Sequence, residues 1–555
     1  MFQGLGIGLF NFFLVLFCFV SVSFASPMFE QFEANNDISN KHKAPRLHPT
    51  SHIKVFIPSI PYSYVAKSTN AGLIRSHDNE QGWVYDLAKS HKRVNAFTYI
   101  FEMRENLKFQ DGSPLTMDLV LKNLRVFQEY PIKYTNIDKV GFDLEKIDET
   151  HFKIILKEKY EMLLQDLARI YFYTDKYLEE HKPKGGETGS AIKVPGPYGM
   201  GPYILTEGYA TGQKQTEKLE LLANPYYWNK EYPKIKHITI YTQLNISDAV
   251  QDVTREEGKL DITPIPFNKK LDVLLSDYAK LIISKSTNNF VIYFNLINGN
   301  KKLQKPDIRR ALNQALNQQN LLNFVYKNEG KISPYTTSIN YKVVQDVAKK
   351  YHFDEMKYSQ MELRGLLNGL ELHVFTQDRF MFLFKGIEFQ LKEYGVKLRY
   401  TETTSEKDIY EQLLTTKANK NSKKWDLLMW GDDDWYYQNP WTVFFIYEPD
   451  SAWSTIENDP IMGKYIEDYF VARIGTPAHE EATKNILFRA KDQAYTLRVP
   501  SPNKVIAVNK EVIYRPYQGA MIPLWEIEIS EDHWSVREKP EYHNKKPIRP
   551  KRIKQ

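Results

Sequence analysis

Apolar residues recur along this chain with the two periods of regular secondary structure. Stretches that alternate apolar and polar residues, such as FEMRENLKF, predict β-strands, and recurrence every three to four residues predicts amphipathic helices. The predicted strands are residues 97–109, 237–241, 290–296, 371–376, 397–401 and 425–430. The predicted helices are residues 116–129, 246–257, 307–327, 357–368, 379–394 and 478–497. Strands and helices mixed in this way indicate an α/β fold.

Residues 101–120, FEMRENLKFQDGSPLTMDLV, combine a strand, a turn and a helix start. Asp111 and Gly112 supply the residues of a tight turn. Thr116 is a good N-cap, and Asp118 complements the positive end of the helix that follows. A strand followed by a turn and a capped helix is common in proteins, so this segment alone does not identify a family.

The first 25 residues are uncharged and mostly apolar, and they end in small residues at Ser23 and Ala25. This pattern predicts a secretory signal peptide cleaved after Ala25, with a retained N-terminal anchor as the alternative. Cys18 is the only cysteine and lies inside this segment, without the small residue expected before a lipidated cysteine. A secreted mature chain without cysteine indicates a bacterial periplasm. Its lack of cysteine excludes Cys-based metal sites and a Cys nucleophile.

The mature chain of about 530 residues is long enough for several domains or lobes. Its net charge of +6 comes almost entirely from residues 541–555, which carry six Lys or Arg and one Glu. The remainder is nearly neutral, so nothing favours a nucleic-acid-binding protein. The basic tail, residues 537–555, is predicted to be disordered and solvated, and contact with anionic lipid or a partner is the alternative.

Sequence signatures of enzymes are missing from the chain. It has no HExxH pattern, no cluster of metal-ligand residues and no G-x-S-x-G motif. The glycine-rich loop at residues 181–203 lacks the spacing of a phosphate-binding loop, and its Ser190 has no identifiable base. We therefore predict no catalytic residue, no metal site and no cofactor.

Seven motifs, in order over residues 101–426, resemble those of the oligopeptide/dipeptide-binding family of extracellular solute-binding proteins, which are the partners of ABC importers. Residues 101–120 match the family's F-x-L-R-x-x-x-K-F-x-D-G-x-P-L-T segment. The other matching stretches are GMGPY at 199–203, ANPYYW at 223–228 with PKIKHI at 233–238, GKLDI at 258–262, FN at 294–295 with DIRRAL at 307–312, QLKEYGV at 390–396, and WD at 425–426. The chain departs from the family before Gly82.

This resemblance implies a two-lobed periplasmic-binding-protein type II fold of α/β class, with mixed sheets and an extra subdomain in lobe one. Lobe one is placed at residues 45–285, with 505–536 returning to it, and lobe two at 286–504. The hinge is expected near residues 288–294 and 499–506. Ligand-driven closure of the lobes would give the conformation that an importer recognises.

The richest polar patch is residues 430–441, WGDDDWYYQNPW, which follows a buried-looking strand. It is expected at the carboxyl edge of a sheet, where open α/β sheets bind ligands. In peptide-binding relatives an Asp three residues after a Trp holds the peptide's α-amino group, which implies Asp433 and Trp430 here. Taken together, the predicted ligand-binding residues are Asp433, Trp430, Asp432, Tyr198, Met200 and Trp435. The alternative for the three Asp residues is a solvated turn or helix cap, and their spacing does not fit a calcium loop.

The resemblance therefore implies a periplasmic, non-catalytic and monomeric protein that captures short peptides and delivers them to an inner-membrane ABC permease. On the same scaffold, the ligand could instead be a nickel chelate, haem, an opine or an oligosaccharide. A secreted enzyme or sensor that reuses the fold is the alternative from another class.

Overall fold

The computed structural model describes residues 41–130, 135, 137–181, 194–211, 214–432, 436–519 and 522–537. The predicted signal peptide, residues 538–555 of the tail, Ser190, Asp433 and Trp435 lie outside these ranges. Only the backbone of Asp432 is described.

The chain up to residue 284 contains strands that build most of one large sheet and a smaller one. They are β1 (His52–Phe56), β2 (Ile74–Ser76), β3 (Trp83–Tyr85), β4 (Ala88–Arg93), β5 (Thr98–Met103), β6 (Phe142–Lys146), β7 (His151–Leu156), β8 (Tyr203–Glu207), β9 (Lys218–Ala223), β10 (His237–Tyr241), β11 (Ile262–Pro264) and β12 (Ala279–Ser284). The helices among them are α1 (Pro61–Thr69), α2 (Met117–Glu129), α3 (Ile137–Val140), α4 (Leu163–Leu167), α5 (Asp175–Glu180), α6 (Ile246–Arg255) and α7 (Lys270–Leu274).

The later part of the chain adds a second large sheet and then returns to the first. Its strands are β13 (Asn289–Phe294), β14 (Gly330–Lys331), β15 (Glu371–Gln377), β16 (Lys397–Thr403), β17 (Leu427–Asp432), β18 (Thr496–Leu497), β19 (Ser501–Pro502), β20 (Lys504–Asn509), β21 (Val512–Ile513) and β22 (Glu528–Ile529). Its helices are α8 (Pro306–Ala315), α9 (Gln318–Asn320), α10 (Lys342–Lys350), α11 (Gln360–Leu367), α12 (Met381–Leu391), α13 (Glu406–Thr416), α14 (Trp441–Phe444), α15 (Pro460–Val471) and α16 (Pro477–Asp492).

The first large sheet has seven strands in the order β12-β20-β11-β1-β10-β9-β8. Strand β1 is parallel to both β10 and β11, whereas β9 and β20 run antiparallel to their neighbours. Its buried face carries Val55, Ile240 and Leu221, all fully buried. A four-stranded antiparallel sheet, β4-β5-β7-β6, forms a separate layer beside it.

The second large sheet has five strands in the order β16-β15-β17-β13-β18. Strand β15 is parallel to β16 and β17, and β13 is antiparallel to β17. Helix α8 contacts both α11 and α12, and α8 and α12 pack on strands of this sheet. Leu372, Leu428 and Leu383 are fully buried between these layers.

The chain passes between the two large sheets twice among the described residues. It leaves the seven-stranded sheet after β12 and enters the five-stranded sheet at β13, and it returns between β18 and β20. Residues 285–288 and 498–503 are thus the connecting segments. The lobe boundaries and the hinge function of these segments stay predictions.

A buried ion pair ties the start of this first lobe together. The Arg75 guanidinium lies 2.8 Å from Asp86, whose side chain is 2% exposed, and stacks on the ring of Trp525 at 4.7 Å. Trp228 donates its indole N–H to the other Asp86 oxygen at 2.8 Å. Burial lowers the pKa of Arg75, but the adjoining Asp86 carboxylate outweighs this and raises that pKa above its ordinary value.

Several sequence predictions are confirmed by these elements. Strand β10 has the predicted bounds, and the Thr116 side chain accepts the N–H of Leu119 at the start of α2. Gly112 has a φ of 86°, which the predicted tight turn requires and glycine adopts without strain.

Three predicted elements extend at least five residues past the observed ones. The helix predicted at 307–327 ends at Ala315, because Leu316 is extended and Asn317 caps a new short helix with its side chain. The helix predicted at 478–497 ends at Asp492, and Ala494 has a φ of 46° before the chain enters β18. The strand predicted at 97–109 ends at Met103, three residues before the left-handed Asn106. At Asn317 a local side-chain bond overrides the apolar period, and at the other two ends the backbone turns left-handed.

His479 makes stability depend on pH. Burial lowers its pKa from 6.5 to about 4, and it lies at the positive amino end of α16, which also disfavours its charged form. The unfolded residue takes up a proton near pH 6.5 and the folded one only near pH 4, so stability falls as the pH drops through this window. Between pH 6.5 and pH 4, we expect the free energy of unfolding of the wild-type protein to fall by about 3 kcal/mol more than that of the His479→Leu variant. Urea unfolding at the two pH values measures this difference.

The matched control is His352→Leu, since the His352 side chain is 86% exposed. An equal pH dependence in the wild type and the His479→Leu variant would contradict the assignment.

Candidate functional site

A cavity of about 260 Å³ lies between the two large sheets, where the connecting segments pass. The loops after β1 and β11, the segment 502–506, Tyr64, Tyr514 and Ile522 line one side. The other side is lined by Asn288, Asn289, Phe290, Arg379, Phe380 and Gly431. Its volume lies near the lower end of the range for small-molecule pockets, about 300–1,000 Å³, which favours a short ligand.

Strand direction explains why these residues meet. Strands β1 and β11 are parallel, so the loops that follow them emerge at the same edge of the seven-stranded sheet. Strands β15 and β17 are also parallel, and they bring Arg379 and Gly431 to one edge of the five-stranded sheet. The cavity therefore lies at the carboxyl ends of strands from both sheets, the usual place for ligands on open α/β sheets.

Three lining residues carry buried polar atoms with no hydrogen-bond partner among the described residues. They are Oδ1 of Asn288, Nε of Arg379 and the hydroxyl of Tyr514. Burial raises the pKa of Tyr514, so the hydroxyl keeps its proton and can donate it in a hydrogen bond. Because buried polar groups in native proteins nearly always have partners, these atoms indicate a polar ligand or ordered water in the cavity.

The charged groups of the lining are cationic. Arg379 donates one guanidinium N–H to Oε1 of Gln377 at 2.8 Å, and Lys504 donates to the carbonyl of Tyr517 at 3.1 Å. In the part of the chain that the structure describes, the lining includes no Asp or Glu. This part of the cavity is therefore suited to a negatively charged group, for which arginine offers planar, charge-assisted hydrogen bonds.

Aromatic rings form the apolar part of the lining. Phe290 and Phe380 meet edge to face at 5.4 Å, and Phe267 stacks on Tyr326 at 5.4 Å across the two sheets. Such rings offer a large apolar surface to side chains of varied shape. The cavity can thus hold an apolar group beside an anionic one.

The segment 436–438 joins the two sides next to the cavity. Lys67 lies 4.3 Å above the ring of Tyr437, and Gln438 donates to Oδ1 of Asp78 at 3.3 Å. Asp78 also accepts the backbone N–H of Gln518 at 2.9 Å. Tyr437 and Gln438 have φ values of 46° and 56°, a left-handed conformation that costs of order 1–3 kcal/mol for each such residue. Contacts with Lys67 and Asp78 thus hold a strained segment that begins three residues after the predicted anchor, Asp433.

The described part of the patch at 430–441 begins at the carboxyl end of the strand β17. Gly431 lines the cavity and β17 ends at Asp432, whereas Asp433 and Trp435 lie outside the described residues. Trp430 is 7% exposed and stacks on Trp453 at 5.3 Å. The predicted ligand contacts of Asp432, Asp433, Trp430 and Trp435 stay predictions.

The GMGPY stretch has a structural role in the first lobe. A side chain at Gly199 would meet the carbonyl oxygen of Thr69 at 2.3 Å, and Gln110 holds the same region by accepting the N–H of Gly199. Met200 is 2% exposed, and Tyr198 packs on Tyr177 at 5.1 Å. Neither belongs to the described lining of the cavity, and their predicted contact with a ligand stays a prediction.

Sequence reasoning missed three residues of the cavity, namely Arg379, Asn288 and Tyr514. Arg379 lies three residues after the end of the predicted strand 371–376, and its place near a strand's carboxyl end was a signal that could have found it. It was instead assigned to the start of a helix. Asn288 lay in the predicted hinge, and nothing in the local pattern marks Tyr514.

Comparison with protein families gives a match over residues 82–454 to the family described as bacterial extracellular solute-binding proteins, family 5 Middle. Among curated proteins, the nickel-binding protein NikA of Staphylococcus aureus is 27% identical over 268 residues, 48% of this chain and 49% of that protein. The glutathione-binding protein GsiB of Pectobacterium atrosepticum is 26% identical over 351 residues, 61% of this chain and 64% of that protein. The matched region thus spans about half to two thirds of these relatives.

Among solved structures, the oligopeptide-binding protein AppA of Bacillus subtilis, in complex with a nonapeptide, matches with a TM-score of 0.72. The match is 14% identical and covers 88% of this chain and 100% of AppA. A likeness at this identity shows the fold, and it confirms the two-lobed type II architecture that the sequence motifs predict. Among the described residues, the helices are too short or too polar to cross a membrane.

Proposed function

Since this chain belongs to the bacterial extracellular solute-binding proteins of family 5, as the sequence motifs predicted, we propose that it captures short peptides between its two lobes. Members of this family bind solutes and work with ABC permeases. We place lobe one at residues 45–285 and 505–536 and lobe two at 286–504, because the chain changes sheet at 285–288 and again at 498–503. Ligand binding then stabilises the closed arrangement of the lobes, which the permease recognises.

The observation that carries this proposal is the set of unpartnered polar atoms around the cationic part of the cavity. A peptide's carboxylate would accept from Arg379 and Tyr514, and a peptide N–H would donate to Oδ1 of Asn288. The α-amino group would pair with Asp433, which follows β17 by one residue. Both ends of a short peptide would then be held by charge, while main-chain contacts leave its side chains unspecified.

The protein is non-catalytic in this proposal, acts as a monomer and works in the periplasm with an inner-membrane permease. Support for the compartment comes from the family and from the predicted signal peptide. A repurposed enzyme or sensor is the alternative that an empty cavity would favour.

Other ligands of the same scaffold are the remaining alternatives. One relative is named a nickel-binding protein, which makes a metal chelate an alternative ligand. The cationic lining would also bind the carboxylates of a chelating ligand. Haem, an opine or an oligosaccharide would have to use the same Arg379 and Asn288 groups.

Native mass spectrometry of the purified protein, followed by release and sequencing of what co-purifies, tests the proposal. We expect a ladder of short peptides, since closure buries the ligand. A metal chelate, haem or sugar would preserve the scaffold and overturn the peptide assignment. A protein that is empty and also ignores a peptide pool would overturn the capture function.

Gly431 supplies a variant that closes the cavity. A Cβ at this position would lie 2.9 Å from Cζ of Phe380, so we expect Gly431→Val to reduce the co-purified ligand at least tenfold. Gly365→Val is the matched control, because a Cβ there meets nothing within 4 Å. Full ligand occupancy in a folded Gly431→Val variant would show that the ligand lies elsewhere.

A further inference from the structure

Two histidines and a glutamate come together on one face of the seven-stranded sheet, away from the cavity, where the ring of Trp534 lies 5.6 Å from that of His52. His52, His237 and Glu220 each place a ligand atom within 4.8 Å of the other two. The two imidazole rings stack with centroids 4.1 Å apart, and Nε2 of His237 lies 2.8 Å from Oε2 of Glu220. Histidine and glutamate are common metal ligands. These three residues do not belong to the proposed peptide site.

Sheet register explains why these side chains share a face. His52 on β1 is the direct partner of His237 on the parallel strand β10. Glu220 on β9 is opposite Thr239, two residues beyond His237 on β10. Directly paired residues, and residues two apart on one strand, project to the same side of a sheet. Three adjacent strands therefore present the three side chains together.

The scaffold holds these groups in place. Residues Ile53, Ile238 and Leu221, next to them on the three strands, are fully buried on the other face. The Thr239 hydroxyl bonds Nε2 of His52 at 2.8 Å and donates to Oε2 of Glu220 at 2.7 Å. A site built on strands with bonded neighbours requires little rearrangement to bind an ion.

We propose that His52, His237 and Glu220 bind one divalent transition-metal ion, with Zn²⁺ the best match. Two imidazoles and a carboxylate are a common zinc ligand set, and a water can take the fourth position on the exposed side. Ligand atoms around tetrahedral zinc are about 3.4 Å apart, which small side-chain rotations reach from the present spacing. The ion takes the place of the hydrogen between Nε2 of His237 and Glu220, and the neutral His237 ring then carries its single N–H on Nδ1.

The metal site and the peptide cavity lie at opposite ends of the same strand. His52 opens β1, and Phe56, which ends it, lines the cavity. At about 3.3 Å per residue, the two positions are roughly 13 Å apart along the strand. Metal binding is therefore separable from peptide capture.

Lys218 is the competing cation. Its ammonium lies 2.8 Å from Oε1 of Glu220, whereas the proposed metal ligand is Oε2. Both can be accommodated by one carboxylate, but the ammonium reduces the negative charge available to the metal. We therefore expect affinity in the micromolar range rather than that of a closed structural zinc site.

Titration of the untagged, chelator-treated protein with ZnCl₂ by isothermal calorimetry tests the proposal. We expect one Zn²⁺ per chain, and at least tenfold weaker binding in both His237→Gln and Glu220→Gln. The second variant keeps the shape of the carboxylate, so it stays informative if His237→Gln fails to fold. Cobalt substitution adds an optical readout of the coordination geometry.

His373→Gln is the matched control. His373 bonds a threonine on the neighbouring strand of the other sheet, Thr401 at 2.7 Å, as His52 bonds Thr239, but it does not belong to the described three-residue group. No stoichiometric Zn²⁺ binding, or binding that both site variants leave unchanged, would overturn the site. Zinc binding that persists in a cavity variant such as Gly431→Val would support its independence from the peptide cavity, whereas loss there would assign the metal to the cavity.

Discussion

We expect the Arg379→Met variant to bind a short peptide about 100-fold more weakly than the wild-type protein. Arg379 is half-buried beside Phe380, and its Nε has no partner among the described residues. Truncating one side of a buried charge-assisted contact costs about 2–5 kcal/mol, and a hundredfold corresponds to about 2.8 kcal/mol. Calorimetry with a tripeptide from the co-purified ladder measures this difference.

Paired ligands assign the lost contact to the carboxylate. We expect the wild-type protein to prefer the tripeptide acid to its C-terminal amide, and the Arg379→Met variant to bind both about equally weakly. Such a cycle isolates the interaction between this side chain and the charged end of the ligand. Equal discrimination in both proteins would show that another group holds the carboxylate.

Arg399→Met is the matched control for the loss of one guanidinium. Arg399 is exposed on β16 and pairs with Glu371 at the surface. We expect its replacement to leave peptide affinity within about twofold, since screened surface pairs contribute little.

The second large effect concerns stability and the buried pair Arg75–Asp86. We expect Arg75→Met to lower the free energy of unfolding by about 3–5 kcal/mol, because it leaves the carboxylate of Asp86 buried without its ion-pair partner. Trp228 still donates one hydrogen bond to that carboxylate, but an indole N–H carries no compensating charge. Urea unfolding monitored by tryptophan fluorescence measures the loss, with Trp525 and Trp228 beside the pair.

An exposed pair in the same lobe is the control. Lys89 lies 2.6 Å from Glu102 with 61% of its side chain exposed, and we expect Lys89→Met to leave the free energy of unfolding almost unchanged, because solvent screens an exposed pair. The double variant Arg75→Met/Asp86→Leu should recover most of the loss, since no charge then remains buried. A single Arg75→Met variant as stable as the wild type would contradict the assigned role of the pair.

The apolar period predicted the centres of the main elements and not all of their ends. Strand β10 matches its predicted bounds because turn or connecting residues flank a short apolar stretch. The helix at 307–327 was overextended because the apolar positions continue past Asn317, whereas the amide of Asn317 starts a new helix. Local capping bonds of this kind compete with periodicity and are not contained in it.

The candidate site could be predicted only in part. The rule that ligands lie at strand carboxyl ends pointed to residues 430–441, of which Gly431 lines the cavity. The same rule was not applied to Arg379. Tyr514 reaches the cavity from the returning C-terminal part, and His52 meets Glu220 and His237 through strand register. Such pairings between distant segments depend on topology, which a single sequence pattern does not reveal.

The place of β20 in the seven-stranded sheet has a consequence for how the chain folds. Strand β12 is joined to the rest of that sheet through β20, so the sheet is incomplete until residue 509 has been made. Residues 285–503 lie between β12 and β20 and must emerge before that sheet can be completed. During that time the residues of the five-stranded sheet emerge as an almost continuous stretch that can fold first. The part of the molecule that the ribosome begins is thus the last part to be completed.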